Sequence, residues 1–157
     1  MRKSAVAGFW YPGDPLALVR EVSDHLRAVR PFPFAIPGRV VGLISPHAGL
    51  KYSGPVAAHG FALLRNWPSA TVVMVGPAHR SVFDGVAVYS RGAFETPLGR
   101  VPVAEDLADA LIAADPRLYT DPRPHRDEHS LEMQLPFLQH TVADLKIVPM
   151  LMGSQSK

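Results

Sequence analysis

Residues 40–49 read VVGLISPHAG and residues 71–79 read TVVMVGPAH: two short β-branched runs, each broken at a proline and each followed by a histidine, His47 and His79. An apolar run of this length reads as a buried parallel strand. In open α/β sheets, ligands collect beyond the carboxyl ends of such strands, where the loops emerge. Both histidines stand in that position, so they are candidates for one metal or acid/base site fed by two strand tips. Weighed against this, an isolated loop histidine is more often a hydrogen-bonded or surface residue.

Working outward, Asp14 is expected to cap a helix whose first turn carries Pro15, and Leu16, Val19, Val22, Leu26 and Val29 give residues 15–30 an apolar face. The prolines Pro31, Pro33 and Pro37 with Gly38 form a linker. Strands are expected at residues 40–44, 71–75, 85–89 and 145–152, and helices at residues 54–65, with Val56, Phe61 and Leu64 facing the sheet, at residues 102–113, and from Glu128 onward with a kink or restart at Pro136. Residues 94–99 carry turn chemistry. The strand–helix–strand order from residue 40 to residue 75 implies a right-handed parallel crossover, with both strand ends on one edge.

Bulk composition narrows the class. With 157 residues, 47% of them hydrophobic, the chain has enough apolar material for one domain with a real core. Sixteen Lys+Arg against 14 Asp+Glu leave a net charge of +2, and the arginines are scattered, which argues against nucleic-acid binding. No run approaches the ~20 apolar residues of a membrane span, and the first residues lack a signal-peptide core, so a cytoplasmic protein is expected. The absence of cysteine excludes disulfides and thiolate ligands within this chain, leaving His, Asp and Glu to hold any metal.

Other clusters compete with the His47/His79 pair. His125, Glu128 and His129 match the H-x-x-E-H pattern of inverted zinc peptidases, but Pro124 ahead of them suggests a helix start, where the two histidines need not share a face. Asp127, Glu128 and Glu132 are suited to neutralising a helix N-terminus. His25 reads as a solvated helix residue, and His59 and His140 as packed or exposed ones. Tyr52 and Ser53 share the His47 loop, where their hydroxyls would orient an anionic or phenolic ligand, although Ser53 would serve equally as a helix cap.

The segments AGFWYPGDP (7–15), SPHAGLKYSG (45–54), VGPAH (75–79), FETPLG (94–99), DEHSLEMQLPFLQ (127–139) and KIVPMLMG (146–153) together resemble the Memo family, also known as AmmeMemoRadiSam system protein B. The resemblance implies an α/β fold like that of class III extradiol dioxygenases: a three-layer α/β/α sandwich around a mixed, largely parallel central sheet. It implies His47 and His79 as metal ligands, His129 as a proton-handling or substrate-orienting catalytic residue, and Tyr52, Ser53 and Glu132 as substrate-binding residues. The implied cofactor is a divalent metal, Fe(II) or copper with zinc as a further option. The implied partners are a small phenolic ligand or peptide, a radical-SAM or AMMECR1-like protein, or further copies of the chain. The S-D-F-x-H and C-G motifs of the family's later segments are absent from residues 1–157, so the chain reads as a single domain, either C-terminally truncated or a shortened member, whose sheet is incomplete and whose metal is weakly held. As an alternative to an enzyme, the same pocket reads as a non-catalytic metal- or peptide-binding module.

Overall fold

The computed structural model describes residues 1–30 and 38–154. The prolines Pro31, Pro33 and Pro37 of the expected linker lie outside the described residues.

The first helix, α1 (Pro15–Ala28), starts as its sequence dictates, with the Asp14 carboxylate accepting from the Ala17 amide at 2.8 Å. Its buried stripe is Leu18, Val22 and Leu26, spaced four apart, while Leu16 and Val19 point outward. The apolar face is therefore rotated from the one expected. Helix α2 (Leu50–Phe61) begins four residues earlier than expected, because Gly49 rather than Ser53 stands at its N-cap. Phe61 and Leu64 are buried as expected, but Val56 is exposed and Ala57 and Ala58 take the inner face.

The central sheet is built on β1 (Trp67–Pro77) and β6 (Val142–Met152), parallel and in register from Trp67 opposite Val142 to Pro77 opposite Met152. β2 (Val86–Val88) pairs antiparallel with β6, and β5 (Leu118–Thr120) pairs parallel with β2, giving the order β1-β6-β2-β5. Two of the three pairings are parallel, so the sheet is mixed and mostly parallel. Side chains alternate across it. Leu145, Ile147 and Leu151 of β6 face the large core formed with α1, α2 and α4 (Leu135–Thr141), whereas Val148 and Met150 face a second cluster with Ala108, Leu111 and Ile112 of α3 (Glu105–Ala114). Helices thus lie on both faces of the sheet, the layered α/β arrangement that the sequence implies. No helix among the described residues is long and apolar enough to cross a membrane.

Four sequence expectations are corrected. Residues 40–44 form no strand, and Val41 and Ile44 are fully solvent-exposed, so the parallel crossover of the sheet runs between β1 and β6 instead. Residues 94–99 are not only a turn: β3 (Ala93–Thr96) and β4 (Gly99–Pro102) form a hairpin around Pro97 and Leu98. The next helix consequently starts at Glu105, since residues through Pro102 are tied into β4. Residues 128–131 are not helical; one 3-10 turn (Glu132–Gln134) leads into α4, and Pro136 sits in its first turn, where a missing N–H costs nothing. Of the two roles expected for Pro136, a kink or a restart, the structure shows the restart.

Candidate metal centre

Three loops meet at the carboxyl end of β1. His79 follows β1 directly, His47 lies two residues ahead of the Gly49 cap of α2, and His129 sits between β5 and α4. The sequence gives a physical reason for their approach. A Cβ on Gly76 would lie 2.8 Å from Leu131 Cδ2 and 2.9 Å from Ser130 Oγ, so glycine lets the His129 loop close on β1 with both side chains where they stand. Ser130 Oγ fixes that contact by donating to the Pro77 carbonyl at 2.9 Å. On the other side, the Leu50 amide donates to the Trp10 carbonyl at 2.9 Å, which ties the start of α2 to the N-terminal turn.

The result is a cluster of imidazoles. Ring centroids are 5.2 Å apart for His47 and His79, 4.6 Å for His79 and His129, and 5.9 Å for His47 and His129. One nitrogen from each ring lies within 4.8 Å of the other two. Ligand atoms bound at about 2.1 Å around a tetrahedral ion are about 3.4 Å apart. The 4.8 Å bound is wider than that spacing, so the rings would have to turn inward to close on an ion. Of the pair expected from sequence, both members are here, and His129, expected near the pocket, joins them as a third possible ligand.

Glu128 organises the cluster. Its carboxylate lies 2.9 Å from His79 Nδ1 and 3.2 Å from His129 Nδ1, and accepts from the backbone amides of His79, His129 (2.7 Å) and Ser130 (2.9 Å). Burial works to raise its pKa, but the His79 ring and these amides together outweigh burial and hold it down at about 2. With both Nδ1 atoms turned to a carboxylate, the Nε2 atoms of His79 and His129 are left for a ligand. Burial lowers the pKa of His47, and the neighbouring His79 charge lowers it further against the opposing pull of Glu128. His129 is lowered by burial too, with Glu128 opposing and His79 and His47 reinforcing. Neutral imidazoles are the form that binds metal. The Trp10 indole, 4.2 Å from the His129 ring, walls one side.

The remaining sequence candidates separate. Glu132 is fully buried and faces the N-terminal segment: it pairs with Arg2 and accepts from the amides of Ala5 (2.8 Å) and Val6 (3.2 Å) and from the Tyr11 hydroxyl, so no oxygen is left for a substrate. Burial, followed by the Glu132 charge, pushes the Tyr11 hydroxyl pKa upward. Ser53 Oγ donates to the Ala48 carbonyl at 2.7 Å, a local backbone bond. Tyr52 lies exposed on the first turn of α2 with the Lys51 ammonium 6.0 Å from its ring centre. His125 does not face His129. It is buried, with Nε2 3.0 Å from the Ala87 carbonyl, and burial holds its pKa at about 4. The H-x-x-E-H pattern therefore forms no shared zinc face. His25 is not solvated: its ring packs against Gly54, where a Cβ would come within 2.5 Å of Nε2. His59 is exposed, and His140, also exposed, lies 3.4 Å from Ser23 Oγ.

From sequence, Glu128 is expected at a helix N-terminus or in the H-x-x-E-H pattern, not as the carboxylate that orients His79 and His129. The signal for its role was the adjacency of Glu128 and His129, which lets one carboxylate meet a ring and several amides of the same loop. Arg2 was also missed: it donates to the carbonyls of His125 (2.9 Å) and Glu128 and pairs with Glu132, clamping the site loop from beneath.

A family model described as "Memo-like protein" matches residues 2–157. A MEMO1 family protein of Thermotoga neapolitana is 40% identical over 99% of this chain and 59% of its own length. One of Methanobrevibacter smithii is 39% identical over 99% and 58%, and one of Thermoplasma volcanium 33% identical over 100% and 57%. The chain spans about three-fifths of the length of these relatives.

Proposed function

Because this chain belongs to the Memo-like family, we propose that His47, His79 and His129 hold one divalent metal ion and that the site serves oxygen-dependent chemistry on a small phenolic diol, in the manner of non-haem iron extradiol dioxygenases. One observation carries the metal reading: three nitrogens, one from each ring, within 4.8 Å of one another, with burial lowering the pKa of the His47 and His129 rings. Fe(II) or copper suits imidazole donors and leaves coordination positions open, and zinc is a further option. A bound ion of this kind would supply Lewis acidity and redox capacity. The chain's own residues do the rest. Glu128 keeps the His79 Nδ1 proton in place so that the opposite nitrogen presents its lone pair. Trp10 shields one side of His129 from water, and Tyr52 stands beyond the His47 loop, where a phenolic ligand would enter.

A second reading, a non-catalytic module that recognises a metal, a peptide or a radical-SAM or AMMECR1-like partner, is favoured by a specific feature. Both nearby buried carboxylates are consumed, Glu128 by the His79 ring and backbone amides and Glu132 by Arg2, Tyr11 and amides. Neither is free to move a proton. Anaerobic titration with Fe(II), Cu(II) and Zn(II), followed by oxygen uptake in the presence of catechol, tests the two. Metal binding lost in His47→Ala and His79→Ala supports the site; catechol-dependent oxygen uptake abolished by the same changes supports the enzyme, and its absence in the metal-loaded protein supports the module. Unchanged metal content in both variants rejects the site.

A further inference from the structure

A second cavity, of about 200 Å³, opens where α1 and α4 end and the chain turns into β1. Ser23 and Arg27 of α1, Arg65 and Asn66 of the turn and His140 of α4 are among its walls, and it shares no residue with the imidazole cluster. The sequence accounts for this convergence. A spacing of four sets Ser23 and Arg27 on one face of α1. Asn66, at a φ of 62°, takes the left-handed conformation that asparagine tolerates better than most residues, and so turns the chain between the 3-10 turn Ala62–Leu64 and β1. Just ahead of it, Arg65 reaches back to donate through Nη2 to the Leu26 carbonyl in the last turn of α1.

Two guanidiniums and an imidazole thus line one small space, and among the described residues no carboxylate lines it. Helix C-termini attract cations, and the Leu26 carbonyl accounts for one bond of Arg65. The rest of the charge is not answered within the cavity. Arg27 meets the Ser23 carbonyl and Asp24, each at 3.3 Å, the latter in an exposed pair that water screens. Desolvation lowers the His140 pKa, and the charges of Arg27 and Arg65 lower it further, so the ring stands in the field of both guanidiniums. Pockets that enclose drug-sized ligands run to about 300–1,000 Å³. This one is smaller and suits a single compact charged group.

We propose that the cavity is a binding site for a phosphate-type oxyanion, free or as the end group of a monoester, held by Arg27, Arg65 and His140. The planar fork of arginine meets two oxygens of such an anion at once. Ser23 Oγ, 3.4 Å from His140 Nε2, adds a hydroxyl donor beside the ring. The site is independent of the metal reading, because none of its residues touches the three imidazoles' loops as a ligand.

Titration calorimetry on the whole chain, stripped of metal by dialysis against a chelator and then against buffer, tests it with inorganic phosphate and with O-phosphoserine at low ionic strength. Saturable one-to-one binding is expected, weakened at least tenfold by Arg27→Gln and unchanged by Arg117→Gln, which removes the same charge from an exposed residue outside the cavity. Arg27 is exposed, so Arg27→Gln is expected to keep the parent's urea midpoint. In proton NMR, phosphate should also move the His140 ring signals, identified by their loss in His140→Gln. Phosphoserine bound as tightly as phosphate supports the site and assigns a monoester; phosphoserine bound more than tenfold more weakly supports it and assigns the free anion. Failure of both to bind saturably overturns the inference. Equal weakening by Arg27→Gln and Arg117→Gln also overturns it, since net charge alone would then be at work. Binding that His47→Ala removes places the anion at the imidazole cluster, again overturning it.

Discussion

Glu128 and His79 are joined twice, through the His79 backbone amide and, at 2.9 Å, through its Nδ1. One carboxylate thereby fixes both where the His79 main chain lies and which face of its ring is available. This orienting bond gives Glu128→Gln a definite consequence. The amide keeps the shape but loses the charge that favours a proton on Nδ1, and metal affinity is expected to fall about 10- to 100-fold, as for other partners of ligating histidines. Calorimetric titration with Zn(II) measures it, and an unchanged dissociation constant would show that Glu128 serves the loop alone.

Gly76→Ala places a methyl 2.8 Å from Leu131 Cδ2 and 2.9 Å from Ser130 Oγ. The Leu131 and Ser130 side chains must shift. A loss of about 1–3 kcal/mol in urea unfolding is expected, together with weaker metal binding, because His129 moves away from His79. Retention of both would mean that the loop yields without moving its imidazole.

Arg2 and Glu132 form a buried pair whose members have no solvent to fall back on. Arg2→Met leaves the carboxylate uncompensated and is expected to cost about 3–5 kcal/mol. The double variant Arg2→Met with Glu132→Met removes both charges but strands the Ala5 and Val6 amides and the Tyr11 hydroxyl, so it should regain only part of that loss. Chemical denaturation of the two single variants and the double one gives the coupling directly.

His125 makes stability depend on pH. Its folded pKa, about 4 through burial, is below the unfolded value of 6.5. The unfolded chain therefore binds the proton first, so this contribution is complete above about pH 6.5 and is lost as pH falls toward 4. The span of 2.5 units corresponds to at most about 3 kcal/mol. Urea midpoints at pH 7 and pH 4.5 should differ less in His125→Asn, which can still donate to the Ala87 carbonyl; an equal difference in both would place the pH sensitivity elsewhere.

The metal pair was legible because a β-branched run ending in proline and histidine puts the imidazole at a strand tip, and His79 lies there. His47 reached the same place by a different route. Its run of apolar residues is unpaired, and its position comes from the α2 cap and the Trp10 contact, neither of which periodicity records. His129 was visible as a neighbour but not as a third donor, because residues 128–131 were read as helix while Glu128 gathers them into a tight loop. Glu132 was misplaced for a related reason: it was grouped with Asp127 and Glu128 at a helix start, whereas the partners that bury it, Arg2 and Tyr11, are more than a hundred residues away in sequence. Contacts of that separation leave no mark on local pattern.

That separation also sets an order of events. The Arg2 guanidinium bonds to His125, Glu128 and Glu132, at sequence distances of 123, 126 and 130. During synthesis the opening segment emerges early and finds nothing to grip until residue 132 has cleared the ribosome, so the imidazole loop sets late, and slow translation of the later stretch would prolong exposure of an unfinished nascent chain.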